Sequence, residues 1–298
     1  MKLNTVVRWG ARAFAGILIL VAVTAAAGYG LSQARMSRHF TVPEHPLVLR
    51  GDSAEVTRGK RLATVRGCVD CHGENLGGRV MFDDPALGRL AAPNLTMGGR
   101  GADLDTRDLE RAIRHGVRRD GTPLRVMPAA EFTTMADDEL ASIVSYLRSL
   151  PAVNAPRTEP RVGPIIRALF LAGQVKLLPA EEIDHSLAHP AHVEPAATPQ
   201  YGKYLAIGCT GCHGSGFSGG KIPGGPPDWK PAANITPTGI GRYSEEDFAR
   251  ILRTGRRPDG SQVDSLMPWR LTRAMTDVEI AALYSYLRTV PAKVYGNR

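Results

Sequence analysis

Cysteine is almost missing from this chain: 298 residues contain four. Two pentapeptides, Cys68-Val69-Asp70-Cys71-His72 and Cys209-Thr210-Gly211-Cys212-His213, use all of them. No thiol is left for a structural disulfide. Aromatic residues are also scarce, at 6%. The formal net charge of +8 is scattered, and its densest stretch, Arg111 to Arg125, has no interleaved aromatics on which bases could stack. That excludes nucleic acid as a partner. Alternation at strand period is missing too, which leaves a helical reading of the chain.

The histidine that closes each pentapeptide explains the four cysteines. In Cys-x-x-Cys-His the spacing puts two thiols on one helical turn, where they can add across the vinyl groups of a porphyrin. The adjacent histidine then faces the iron. A zinc site would want four ligands from paired knuckles, and a redox dithiol would want a thioredoxin-like strand–helix setting. Neither accounts for two His-terminated copies in helical surroundings. The expected cofactor is heme c, two groups, covalently bound, with Cys68, Cys71 and His72 holding one and Cys209, Cys212 and His213 the other.

The pentapeptides sit inside a longer repeat. Gly59-Lys60-Arg61-Leu62-Ala63 precedes the first and Gly202-Lys203-Tyr204-Leu205-Ala206 the second. Downstream, Pro93-Asn94-Leu95-Thr96 matches Ala233-Asn234-Ile235-Thr236, and the turn 116–121 matches 255–260. Met127-Pro128 matches Met267-Pro268, and Ser145-Tyr146-Leu147-Arg148 matches Ser285-Tyr286-Leu287-Arg288. Similarity in the same order over so long a span means two copies of one domain. The copies are placed at 52–152 and 198–298. Apolar spacing at Leu109, Ala112, Ile113 and at Phe248, Ile251, Leu252 predicts helices, with Ser244 as an N-cap. A last helix in each copy follows Leu140, Ile143, Val144, Leu147 and Ile280, Leu283, Tyr284, Leu287, with a capping box at Thr276 and Glu279. Residues 153–197 read as a Pro- and charge-rich linker with one short helix in 165–178, either a tether or a docking helix for a partner subunit.

A second iron ligand is sought among the methionines. Met127 lies 55 residues after His72 and Met267 lies 54 after His213, each followed by proline. The repeat also pairs Met135 with Met275, just before the last helix, where an apolar residue usually packs on its own helix. The expected metal ligands are therefore His72 with Met127 and His213 with Met267. His115, whose counterpart is Thr254, is expected to be solvated. Carbonyls near Pro93 and Ala233 are expected to hold the histidine Nδ1–H, and Arg118 and Arg256 are placed near the propionates. His/Met ligation fills both axial positions, which favours electron transfer over catalysis.

Residues 1–40 read as a membrane anchor or signal. Lys2, Arg8 and Arg12 precede an uncharged run from Ala13 to Leu31, 19 residues long. A signal-peptide core has roughly 7–15 apolar residues and a spanning helix roughly 17–25. Length favours a single-pass anchor in the inner membrane with the rest of the chain on the periplasmic side.

With these motifs in place the chain resembles the membrane-bound cytochrome c subunits of bacterial quinohemoprotein and flavoprotein dehydrogenases. The resemblance runs from Gly59 to Ala292. It implies an all-α fold, with two tandem class I cytochrome c domains after the N-terminal transmembrane helix. It implies an electron carrier rather than an enzyme, with a dehydrogenase catalytic subunit or a terminal oxidase as redox partner. Many such subunits carry three heme motifs and a C-terminal anchor; this chain has two motifs and its long apolar run is N-terminal. The competing readings are a diheme enzyme, either a peroxidase or a thiosulfate-oxidising cytochrome, and a heme subunit of a larger respiratory or photosynthetic complex.

Overall fold

The computed structural model of the chain describes residues 2–226 and 228–298, with side chains from residue 6 onward. Helix α1 (Lys2–Met36) comes first, then α2 (Ser53–Val65), α3 (Cys68–His72), α4 (Thr106–His115) and α5 (Asp137–Ser149) of the first repeat. The connecting segment holds α6 (Pro164–Leu171). The second repeat contains α7 (Pro199–Leu205), α8 (Thr210–His213), α9 (Pro237–Ile240), α10 (Glu245–Thr254), α11 (Trp269–Thr272) and α12 (Asp277–Leu287).

Each repeat is built on one helix crossing. In the first, α2 lies across α5; in the second, α7 lies across α12. A glycine makes each crossing possible. A Cβ on Gly59 would stand 1.8 Å from the Ser142 carbonyl oxygen, and one on Gly202 would stand 1.9 Å from that of Ala282. The Cβ atoms of Tyr146 and Tyr286 close over the same two glycines. Around the first crossing Leu62, Leu76, Leu109, Leu140, Ile143 and Leu147 form a buried core. Around the second, Leu205, Phe217, Phe248, Leu252, Ile280 and Leu283 do so.

The helices stop and start where side chains can satisfy their ends. Asp105 and Asp108 form a capping box on α4, and Ser244 with Asp247 forms the same box on α10. Thr276 with Glu279 caps α12 as its spacing predicts. Met135 and Met275 stand immediately before the caps of α5 and α12 and are almost fully buried, in contact with the clusters that contain Leu140 and Ile280. They are staples.

The all-α expectation needs correction. Strands β1 (Arg79–Asp84), β2 (Gly88–Ala92) and β3 (Arg161–Val162) form an antiparallel sheet in that order. Arg79 pairs with Ala92 and Asp84 with Gly88, with a bulge between Val80 and Phe82. The Asp84 carboxylate closes the hairpin by accepting from the Ala86 and Leu87 amides at 2.8 and 2.7 Å. β1 has no consistently buried face, so its sequence does not alternate. β3 arrives from the connecting segment about 70 residues later, and no local pattern announces that pairing.

α1 is long enough to cross a bilayer, which needs roughly 20 residues. Its most apolar window, within Val6–Met36, has mean hydropathy 2.1 and is wholly unburied by the protein. Its C-terminal end is held. Met36 packs with Phe170, Leu177 and Leu178. Arg35 pairs with Glu181 at 2.6 Å, and Arg167 of α6 donates to Ser32 at 2.8 Å. The connecting segment is thus a packed structure: α6 on α1, β3 on β2.

Two candidate heme sites

His72 ends α3 and His213 ends α8. Their Nδ1 atoms lie 2.8 Å from the Pro93 carbonyl and 2.7 Å from the Ala233 carbonyl. A carbonyl can only accept, so each Nδ1 carries the proton and each Nε2 keeps its lone pair, the form that binds iron. Burial holds both imidazoles below the usual histidine range, and therefore neutral.

The loops that bring those carbonyls are themselves tied. Asn94 Oδ1 accepts from Thr96 N and Oγ1 at 2.9 and 2.7 Å, while Nδ2 donates to the Val153 carbonyl at 2.8 Å. Asn234 repeats this with Thr236 and the Lys293 carbonyl, at the same three distances. Arg148 donates to the Gly101 and Leu104 carbonyls, and Arg288 to that of Gly241. The Asn-x-Thr repeat is visible in the sequence, but its task of fixing the histidine's acceptor loop is not.

The thiols argue against a redox dithiol. Desolvation pushes Cys68 up to about 11 and Cys209 up to about 12, and it raises Cys71 and Cys212 as well. A reactive Cys-x-x-Cys needs the opposite shift. Among the described residues no cysteine belongs to a three-residue metal-binding cluster, so the zinc alternative has no further ligands.

Both sites suit a flat apolar macrocycle. Val69, Leu95, Leu104, Ile113 and Met127 lie half-buried against the first core, where a porphyrin face would cover them. Ile235 and Met267 stand in the same relation to the second core. Met135 and Met275, 3% and 6% exposed, lie within the cores.

One expectation changes. His115 is not solvated: it is 1% exposed, and its Nδ1 meets His185 Nδ1 at 3.0 Å. The sequence hid this because the partner lies in the connecting segment, 70 residues away. Arg118 and Arg257 occupy matching positions in the repeated turn. Arg118 donates to the Pro123 carbonyl and Arg257 to that of Gln262, each closing its own turn.

The two repeats meet through equivalent positions used reciprocally. Arg61 and Tyr204 match in the repeat, as do Glu139 and Glu279. Arg61 of the first repeat reaches Glu279 of the second at 2.7 Å. Tyr204 of the second donates to Glu139 of the first at 2.7 Å. Beside the attachment motifs, Glu131 Oε1 lies 2.7 Å from where a Cβ on Gly211 would be, and Leu271 lies 3.8 Å from the same point on Gly67. Residues 131 and 271 also match. Each follows its Met-Pro by the same interval, and each touches the other repeat's attachment segment.

The Cytochrome c family model matches residues 56–151 and 200–291. The chain is 28% identical to the cytochrome c subunit of a quinone alcohol dehydrogenase from Gluconacetobacter polyoxogenes, over 80% of this chain and 57% of that one. It is 25% identical to the cytochrome subunit of fructose dehydrogenase from Gluconobacter japonicus, over 86% and 57%. A diheme cytochrome c-type protein of Cereibacter sphaeroides is 28% identical over 92% of this chain and 97% of its own length. The chain therefore spans somewhat more than half of the two dehydrogenase subunits and nearly all of the diheme protein.

Proposed function

The chain belongs to the cytochrome c family, and on that premise we propose that it is a membrane-tethered, periplasmic electron carrier with two His/Met-ligated hemes in series. Two covalently bound heme c groups, one per domain, supply the one-electron chemistry. Cys68 and Cys71 hold the first by thioether bonds, and Cys209 and Cys212 hold the second. His72 and Met127 would ligate the first iron, and His213 and Met267 the second.

What this chain's residues contribute is positioning and exclusion. The Pro93 and Ala233 carbonyls orient the histidines. The half-buried Met127 and Met267 would complete the iron ligand sets with the histidines, and a fully ligated iron would serve electron transfer rather than turnover of peroxide or oxygen. α1 holds the domains at the membrane. The electron donor in this reading is a dehydrogenase catalytic subunit, of the kind the relatives' names imply, and the acceptor is a membrane quinone or a terminal oxidase.

The observation that carries the reading is the reciprocal junction. Residues 131 and 271, just beyond the two methionines, each lie against the attachment segment of the other domain. Two redox centres joined through their own ligand-bearing segments form one route. The test is the absorption spectrum of the oxidised diheme protein. Met127→Ala and Met267→Ala are each expected to remove about half of the weak methionine–iron band and to lower one of the two potentials. Intact bands in both variants, with Met135→Ala perturbing the spectrum instead, would overturn the ligand assignment. A high-spin heme with peroxide turnover in the unmodified protein would overturn the carrier.

A further inference from the structure

We infer that the chain binds a divalent transition-metal ion of the zinc class at Glu110, His115 and His189, on the side of the first heme domain where the connecting segment returns to it. The three side chains each offer a ligand atom, and these atoms all lie within 4.8 Å of one another. Glu110 is 2% and His115 1% exposed, and His189 is half-buried.

Hydrogen bonding decides which atoms are available. His185 Nε2 lies 3.1 Å from the Ala180 carbonyl, so it carries the proton and Nδ1 of that ring is an acceptor. His115 Nδ1 is 3.0 Å from it and must donate. His115 Nε2 is thereby left with its lone pair inward, 3.9 Å from the Glu110 carboxylate. That atom is buried and has no hydrogen-bond partner; neither has His189 Nδ1. Two unpartnered imidazole nitrogens beside a buried carboxylate are an unsatisfied arrangement in a protein interior, and a cation satisfies it. The His185–Ala180 relay behind His115 is the outer support that metal-bound histidines usually have.

The charges agree. Arg114 lies 3.4 Å from Glu110, but it also donates to Asp137 at 2.6 Å. Arg111, which also acts on Glu110 and His115, has a carboxylate of its own in Asp108 at 3.8 Å. Two imidazoles and one carboxylate, with water in a fourth position, suit zinc rather than calcium or magnesium, which take oxygen ligands. Bonds of roughly 2.0–2.1 Å put tetrahedral donors about 3.3 Å apart, so the side chains rotate inward by about an ångström on binding.

Glu110 and His115 come from α4 and His189 from the connecting segment. The ion therefore fastens that segment to the first heme domain. The second domain has the exposed Thr254 where the first has His115, and lacks the site.

The experiment uses the full-length diheme protein in detergent, stripped with chelator and dialysed against zinc. Mass spectrometric metal analysis is expected to find one zinc per chain. Zinc-edge X-ray absorption, which the heme irons do not obscure, is expected to report two imidazoles and oxygen. His189→Ala is expected to weaken binding on the order of a hundredfold or more while leaving both heme spectra intact. This residue is half-buried, so the variant serves even where His115→Ala fails to fold. His192→Ala, at an exposed histidine beside Asp138 and Glu194, is expected to retain the zinc. No uptake by the unmodified protein, unchanged uptake in His189→Ala, or loss in His192→Ala would each overturn the site.

Discussion

Arg61 and Tyr204 stand at the same place in the two heme domains, two residues after the glycine of the helix crossing, yet one is a cation and the other a phenol. Both reach the opposite domain and both end on the glutamate at the third position of its last helix. The glycine itself, the histidine–carbonyl bond, the asparagine tie and the arginine on the last helix are chemically the same in both copies. What holds the prosthetic group is thus preserved. What meets the rest of the molecule has diverged: a β-hairpin in the first domain against a Gly- and Pro-rich loop in the second, a buried histidine against an exposed threonine, Glu131 against Leu271. A residue that differs between the copies is therefore better read for its contacts outside the heme pocket than within it.

The shared glycines give the largest test of that comparison. Gly59→Ala places a methyl group against a carbonyl that cannot move without parting α2 from α5, and Gly202→Ala does the same to α7 and α12. Overpacking commonly costs about 1–3 kcal/mol, and a backbone approach this close belongs at or above the upper end. Each substitution is expected to destabilise its own domain. Thermal unfolding of each variant, followed through heme absorption and circular dichroism, would check it. If only one of the two were destabilising, the domains would not share the glycine-dependent crossing as their common architecture.

The diverged pair comes next. Glu279 is 3% exposed, and Arg61 is its ion-pair partner among the described residues. Glu139 is as deeply buried but also pairs with Arg66 at 2.6 Å. Arg61→Ala leaves a buried carboxylate without its cation. Tyr204→Phe removes one hydrogen bond from a carboxylate that keeps its cation, and it also takes away the acceptor of the Ala136 amide, which donates to the Tyr204 hydroxyl at 2.9 Å. Discounted for the partial exposure of Arg61, about 1–2 kcal/mol is expected from each. Denaturant unfolding of both single variants and the double variant measures this. A negligible effect of Arg61→Ala would mean that Arg66, not Arg61, governs the junction.

Local spacing makes part of this molecule legible in its sequence. The heme motifs, the domain repeat, the capping residues of α10 and α12 and the histidine's carbonyl acceptors all follow from it, because helix period and ligand geometry act over a few residues. The hairpin's third strand, the burial of His115 and the junction depend on segments about 70 or more residues apart. No periodicity records such contacts. Arg61 and Tyr204 can be matched by position, but only the docked domains reveal that the match is used reciprocally. Aligning the two turns by glycine pairs Arg118 with Arg257, and each closes its own turn by donating to a carbonyl five residues on.

Glu131 and Leu271 give the finest test. They are equivalent, and each lies against the other domain's heme attachment segment, but only Glu131 can ionise. Desolvation pushes its carboxyl up to about 7, far above the usual range. A carboxyl with a raised folded-state value favours the protonated form, so its contribution to the junction is full in acid and is lost as pH rises through about 7. The charge that then appears beside Cys209 and Cys212 stabilises the oxidised state of the second heme. Its potential is expected to fall by on the order of tens of millivolts as pH passes from about 6 to 8, while the first heme, facing Leu271, stays flat over the same interval. Spectroelectrochemical titration of each heme at several pH values measures both. Glu131→Gln should flatten the second heme, and Leu271→Glu should transfer the same slope to the first. A slope in the second heme that survives Glu131→Gln would assign the proton to another group and leave the junction electrically silent.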